Sequence, residues 1–305
     1  MGSIKESGMT STKSIKQRIK SVKNTSQITK AMEVVSATKM RKSQGFAVSA
    51  RPYAAASLEL MKNLLIRTPS LPPLLQARPV RTSALLVVTS DKGLAGAFNT
   101  LITVGKKSRD FLERRGHPIQ DSFWGFGDYS TLEQTLPVAE TLLDGYLLGA
   151  FDEVEAVYTN FRTTLLQEAM LKRILPVTKE GIEEMVKGIL PERGRYSIFG
   201  GDTSEKTDEY SSSLSRRYNY EYKFEPSPAE ILSELVPQLL RMHVHHLILE
   251  SNASEHSARM VAMKSASDNA RELITDLTLE FNKARQANIT RELTEITAGA
   301  EVLAQ

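Results

Sequence analysis

The sequence predicts an α/β fold: two long terminal helices forming an antiparallel coiled coil, flanking a small Rossmann-like α/β domain. Three observations lead there. The run from Ser227 to Ala304 holds one proline, Pro237, and no glycine before Gly299. The run from Thr12 to Ile66 also keeps apolar residues at helical spacing. Between them the pattern changes to short β-branched runs alternating with helical stretches, which is how a small α/β domain reads.

The C-terminal run opens with Ser227-Pro228-Ala229-Glu230. Ser227 suits the cap, Pro228 the first helical position, and Glu230 can reach back to the cap amide. As one helix it is roughly 75 residues and about 110 Å long, against about 11–12 residues for an average helix. A helix of that length needs a partner helix, and a partner protein beyond it. Its middle is rich in small residues (Ala258, Ala262, Ser265, Ala266, Ser267, Ala270), which let helix backbones approach closely, and Leu273, Leu277, Phe281 and Ala284 continue the expected seam.

From the N-terminus, residues 1–11 read as a frayed tail. Ile15, Ile19, Val22, Ile28, Met32 and Val35 form a narrow apolar stripe on the first helix, thin enough for a two-helix seam rather than a globular core. Pro52 is expected to bend that helix, as Pro237 bends the last one. Leu58, Leu60, Met61, Leu64 and Leu65 make a richer apolar end that packs on the domain. Four prolines between Thr68 and Pro79 mark a boundary. Strands are expected at 83–89, 119–126, 154–161 and 167–177, helices at 94–115 and 130–148, and a largely parallel sheet. Residues 178–226 turn polar and read as a mobile insertion. The expected domains are a shaft helix at 1–67, the α/β domain at 80–225, and a second shaft helix at 227–305.

Composition narrows the function. The chain has 305 residues, a formal charge of +3 and no cysteine, so disulfides, thiolate metal sites and thiol redox switching are excluded. No apolar run nears the length of a membrane span. The N-terminus lacks a signal core and a myristoylation signal, so the chain is expected to stay where it is made. Charge is uneven. Residues 1–51 carry eleven lysines and arginines against Glu6 and Glu33, a face that is either simply solvated or drawn to an acidic partner.

Chemistry-bearing patterns are few. Ser90-Asp91-Lys92-Gly93-Leu94-Ala95-Gly96 lies between strand and helix, but it is neither a dinucleotide nor a P-loop fingerprint, so a structural turn is preferred to nucleotide binding. His243, His246 and Glu250 share a helix face beside His245, yet one turn cannot enclose a metal, and packing is the preferred reading. No catalytic triad or carboxylate pair emerges from the spacing. Nucleic-acid binding is weakened by the lack of aromatics among the basic residues.

Four blocks resemble the gamma subunit of F-type ATP synthases of the bacterial type. They are Asn24 to Val35 with Ala37-Thr38-Lys39-Met40-Arg41-Lys42; Thr89 to Gly96; Glu255 to Asn269; and Asn282 to Ile296. Ala95 stands where many members carry cysteine, and the cysteine-bearing insertion of chloroplast members is missing, so thiol control is not expected. Val302 replaces the usual small or basic residue near the last helix tip. The resemblance implies a central-stalk rotor that couples c-ring rotation to the catalytic beta subunits. It implies partners in the alpha and beta subunits of the ring, the epsilon subunit and the c-ring. It implies no nucleic acid, no cofactor or metal on this chain, no active site of its own, and a peripheral place at the cytoplasmic face of the cell membrane. Carried over by motif, Lys30 and Met32 would face an acidic lever region of the catalytic subunit. Arg259, Gln286, Thr290 and Glu292 would make the contacts that sense shaft angle. Two readings from other classes stand beside it: a nucleotide-binding α/β enzyme and a basic coiled-coil module that binds nucleic acid.

Overall fold

The computed structural model describes residues 12–49, 51–68, 71–89, 104–116, 119–126, 130–178, 181 and 223–303. In chain order these form α1 (Thr12–Ser49), α2 (Arg51–Arg67), a 3-10 turn (Pro73–Leu75), β1 (Ser83–Val87), α3 (Lys106–Arg114), α4 (Leu132–Leu147), β2 (Glu153–Phe161), β3 (Gln167–Leu175) and α5 (Pro228–Leu303). The Ser90–Asn99 turn, the N-terminal tail and nearly all of the 178–226 stretch lie outside the described residues. The chain divides into two compact units. One joins Met1–Ser36 with Arg259–Gln305, and the other is Ala37–Ala258.

The larger unit is built on a three-stranded sheet of order β1-β2-β3. β1 pairs parallel with β2, and β2 pairs antiparallel with β3. The expectation of a largely parallel sheet is therefore corrected to a mixed one. The reason is the connection. Residues 162–166 leave room for a hairpin but not for a crossover, and Arg162 N and Thr163 N both donate to Leu166 O at 3.2 and 3.0 Å. The expected strand at 119–126 reduces to one bridge, Val104 to Phe123, which with Val88 to Val104 prolongs the pairing beyond β1.

Local chemistry sets the helices. Thr131 and Gln134 close a capping box at the start of α4: Gln134 N donates to Thr131 Oγ1 and Thr131 N to Gln134 Oε1. Each satisfies an amide that helix geometry leaves unpaired. Ser227 Oγ accepts from Glu230 N at 3.2 Å to start α5, while the Glu230 carboxylate takes the Ser227 hydroxyl rather than the cap amide. The N-terminal helix is interrupted near Pro52, since α1 ends at Ser49 and α2 starts at Arg51. Pro237, by contrast, sits inside α5 without ending it.

The core of the larger unit gathers Met61 and Leu64 from α2, Leu142 and Tyr146 from α4, and Val154 and Ala156 from β2. Leu232, Val236, Leu240, Val244 and Leu247 of α5 join them, at steps of four and three that make one continuous helix face. The polar side of this dock is specific. Arg241 of α5 pairs with Glu140 of α4 at 2.7 Å. Ser251 Oγ accepts from Thr159 N, Ser254 Oγ donates to Thr159 O, and Ser257 Oγ donates to Thr164 O, at 3.1, 3.2 and 2.8 Å. Short hydroxyls thus tie α5 to the β2–β3 hairpin. Arg78 ties the linker to α4 and β2. Its guanidinium lies over the Tyr146 ring and Nη2 donates to Tyr146 O and Phe151 O. Nε sits 2.9 Å from Asp152 Oδ1, an ion pair without the angle of a hydrogen bond.

In the smaller unit the inward positions of α1 are Ile15, Ile19, Val22, Ser26, Thr29, Glu33 and Ser36, all buried or half-buried. They step by four and three throughout. The inward positions of α5 do the same over Met263, Ser267, Ala270, Ile274, Leu277, Phe281, Ala284 and Asn288. Two expectations change. Ile28 and Val35 are 61% and 49% exposed, so they lie outside the stripe to which they were assigned. The small hydroxyl residues Ser26, Thr29 and Ser36 take those places. Thr29 tolerates burial because its Oγ1 donates to the carbonyls of Thr25 and Ser26 in its own helix, both at 3.1 Å. On α5, Ile274 takes the seam place expected for Leu273, which is exposed.

Candidate shaft surface

The six residues singled out in the sequence all fall in the smaller unit, Lys30 and Met32 on α1 and the other four on α5. Lys30 is exposed, and its ammonium is held by Glu33 at 2.9 Å one turn on. Glu33 itself is half-buried, at an inward position of α1. Met32 is half-buried. Gln286, Thr290 and Glu292 are exposed. Gln286 and Thr290, four residues apart, share a helix face, and Glu292 lies on another. Arg259 differs from these, because it is 7% exposed and buried within the chain itself.

Hydrophobic exposure reveals residues that the motif comparison did not pick out. Ile289, Leu293 and Ile296 are 48%, 58% and 68% exposed. Their spacing of four and three places them on one face of α5, outside the inward positions named above. Ile28, Val34 and Val35 are likewise exposed on α1. Apolar residues repeated along one exposed helix face mark a surface that another molecule covers. The signal was present as an i, i+4, i+7 apolar pattern within a polar stretch.

The histidines belong to the larger unit and to its packing. His243 is buried with neither ring nitrogen hydrogen-bonded, and burial, with Lys172 and His246 nearby, holds it well below the usual imidazole range. His245 shares a 3.0 Å hydrogen bond with Thr135 of α4, and burial lowers it to about 4. His246 Nδ1 stands 3.8 Å from Glu250 Oε1. Among the described residues no group of three or more histidine, aspartate or glutamate side chains is arranged to hold a metal. No helix among them is long and apolar enough to cross a membrane.

A family model described as ATP synthase matches residues 11–103 and 100–303. The ATP synthase gamma chain of Roseiflexus castenholzii is 39% identical over 323 residues, covering 97% of this chain and all of that protein. The chain belongs to the ATP synthase gamma-chain family. The gamma chain of Herpetosiphon aurantiacus is similar to the same degree, 39% identical with 97% of this chain and all of that protein covered. That of Opitutus terrae is 38% identical, with 95% and 98% covered. Among solved structures, a chain of the Euglena gracilis mitochondrial ATP synthase (OSCP/F1/c-ring, rotational state 3) aligns with a TM-score of 0.57 at 17% identity, covering 96% of this chain and 94% of that one. A chain of the same enzyme's rotor in rotational state 1 gives 0.53 at 15%, with 91% and 98% covered. At these identities the structural likeness speaks for the fold, and the gamma-family membership rests on the sequence relatives.

Proposed function

We propose that this gamma-family chain is the central-stalk rotor of an F-type ATP synthase, and that α1 and α5 pair as an antiparallel coiled coil in the smaller unit. The observation that carries this reading is the exposed apolar face Ile289–Leu293–Ile296 on a helix whose inward positions already keep a regular three–four spacing. That spacing is what a two-helix supercoil requires. The outer face is then free for a sleeve of alpha and beta subunits. The larger unit is the part that meets the epsilon subunit and the c-ring, at the cytoplasmic face of the membrane.

The mechanism follows from asymmetry. A shaft with one distinctive face meets three chemically identical catalytic subunits and must favour a different conformation in each. Moving a two-state equilibrium from 1:99 to 99:1 takes about 5.5 kcal/mol of differential binding. Burying one exposed leucine or isoleucine contributes about 1.5–3 kcal/mol, so two or three such side chains facing one subunit and not the next suffice. Lys30, Met32, Gln286, Thr290 and Glu292 add direction to that contact. Arg259, being buried, acts by holding α5 in place.

Reconstitution tests the reading. The chain added to a gamma-depleted complex should restore proton-coupled ATP synthesis, and the purified chain alone should hydrolyse no ATP. Failure to assemble with the alpha and beta subunits would end the proposal. Ile289→Asp with Leu293→Asp should keep the helical content of the isolated chain and lower its affinity for the ring at least tenfold. Met32→Lys should change the ratio of synthesis to proton flux more than it changes assembly, and an unaltered ratio would remove Met32 from the contact.

A further inference from the structure

Three polar pairs join α5 to the α4 segment of the larger unit, and they lie in order. Arg241 Nε donates to Glu140 Oε1 at 2.7 Å. His245 Nδ1 meets Thr135 Oγ1 at 3.0 Å. That hydroxyl gives its proton to Leu132 O at 2.9 Å, so it accepts from the imidazole N–H. Asn252 Nδ2 donates at 2.9 Å to the hydroxyl of Ser130, just ahead of the α4 cap. Residue numbers rise along α5 as they fall along α4, so the two helices run antiparallel. Arg241 to Asn252 covers about 16 Å of helix and Ser130 to Glu140 about 15 Å, at 1.5 Å per residue. One alignment therefore satisfies all three pairs.

The apolar part of the dock has no such alignment. Leu232, Val236, Leu240, Val244 and Leu247 face the core, and sliding α5 by one turn replaces one aliphatic side chain with another. The polar pairs do not survive that slide. In one direction Leu249 would stand against Thr135. In the other, Pro237 would stand against Glu140 and Ile248 against Ser130. Ser130 and Thr135 are buried, so an oxygen that loses its donor there has no water to replace it. We infer that these three pairs set the axial register of α5 on α4, which makes them positioning residues for the length of α5 that extends beyond the dock. Single polar sites fix register in this way where apolar contacts alone are degenerate. α5 continues without a break to Leu303. In the rotor reading, on which this consequence rests, that length decides which level of the ring meets Ile289, Leu293 and Ile296.

The chain has no cysteine, so Glu133→Cys with Glu234→Cys places two spin labels on exposed sites of α4 and α5 and nowhere else. Double electron–electron resonance on the full chain should give one distance. Ser130→Ala, Thr135→Val and Glu140→Leu together should add a second distance displaced by about 5 Å, one helical turn, with helical content kept. Glu140→Arg alone, which sets two cations face to face and keeps the other pairs, should do the same and serves if the triple variant does not fold. Glu140→Arg with Arg241→Glu restores the pair in reverse and should return the single distance. Val236→Ala weakens the apolar dock and should lower the melting midpoint without a second distance. One unchanged distance in the Glu140→Arg chain, or a second distance produced equally by Val236→Ala, would overturn the register. In the reconstituted complex Glu140→Arg should lower the ATP made per proton, and the charge swap should recover it. A displaced distance with an unaltered yield would overturn the link to reach. Failure of the native chain to reconstitute would count against the rotor reading alone, because the label distances are read without the ring.

Discussion

A methyl group at residue 145 has nowhere to go. Gly145 lies within α4, and a Cβ built there would stand 2.3 Å from two carbons of the Phe151 ring, which is itself buried. Gly145→Ala should therefore destabilise the larger unit by about 1–3 kcal/mol, the usual range for overpacking a filled core, despite the gain in helix propensity. Urea unfolding followed by circular dichroism measures it, and an unchanged midpoint would mean that the ring yields. Gly105 is constrained by its backbone: φ is +118° and a Cβ would meet Thr89 O at 2.4 Å. Arg78 is bound by geometry too. A lysine there keeps the charge but loses the paired carbonyl bonds and the stacking on Tyr146. Arg78→Lys should cost about 1.5–3 kcal/mol, as hydrogen bonds to charged groups do.

At the scale of elements, the dock of α5 is sensitive to acid. The unfolded chain protonates its histidines near 6.5, whereas burial holds His245 near 4 and His243 well below the usual imidazole range. Between those values the unfolded chain binds more protons than the folded one, so stability rises with pH across that window. It is complete above about 6.5 and falls as pH drops toward 4. Asp152 pulls the same way at more acid pH. Its carboxylate accepts from Arg81 N and Thr82 N, which with Arg78 lowers its pKa, and that contribution is lost as pH falls through the lowered value. Thermal melts from pH 7.5 to 4.5 should show a falling midpoint, and His243→Leu should flatten the decline. A slope unchanged by that substitution would put the acid sensitivity elsewhere. Elements were also where the sequence was most readable. The three strand runs, the helix at 130–148 and the Ser227–Pro228 start stood plainly in the residues. The antiparallel β3 was misjudged although the five residues before it were too few for a crossover.

Over the whole molecule, legibility depended on what buries each surface. The larger unit hides ordinary apolar residues, so its core was readable from hydrophobic runs. The smaller unit hides Ser26, Thr29, Ser36, Ser267 and Ala270, and leaves Ile28, Val35, Leu293 and Ile296 outside. Counting apolar residues therefore placed Ile15, Ile19 and Val22 on the inward face of α1 but misassigned Ile28 and Val35. A surface that awaits a partner looks like a core when only the sequence is read, because the partner's contribution is not written in this chain. The family blocks located Gln286, Thr290 and Glu292 on the exposed helix but passed over the apolar face beside them. Shortening the side chains of that face without charge, with Leu293→Ala and Ile296→Ala together, should leave the melting of the isolated chain within about 0.5 kcal/mol, the normal range for surface changes, while weakening ring affinity. A large loss of intrinsic stability would show that the face is covered by this chain after all.

The three serines that join α5 to the β2–β3 hairpin have a consequence for rotation. An apolar dock has no preferred angle about the helix axis beyond its fit, and a rod resting on it can roll. Hydrogen bonds have direction. At a helix radius of about 5 Å, a roll of only 30° would carry each hydroxyl roughly 2.5 Å and break the bonds of Ser251, Ser254 and Ser257 at once. These residues act as a key in a keyway. They fix the angular phase of α5 against the sheet, and because α5 continues unbroken to Leu303, a twist applied to the sheet must turn the helix rather than slide around it.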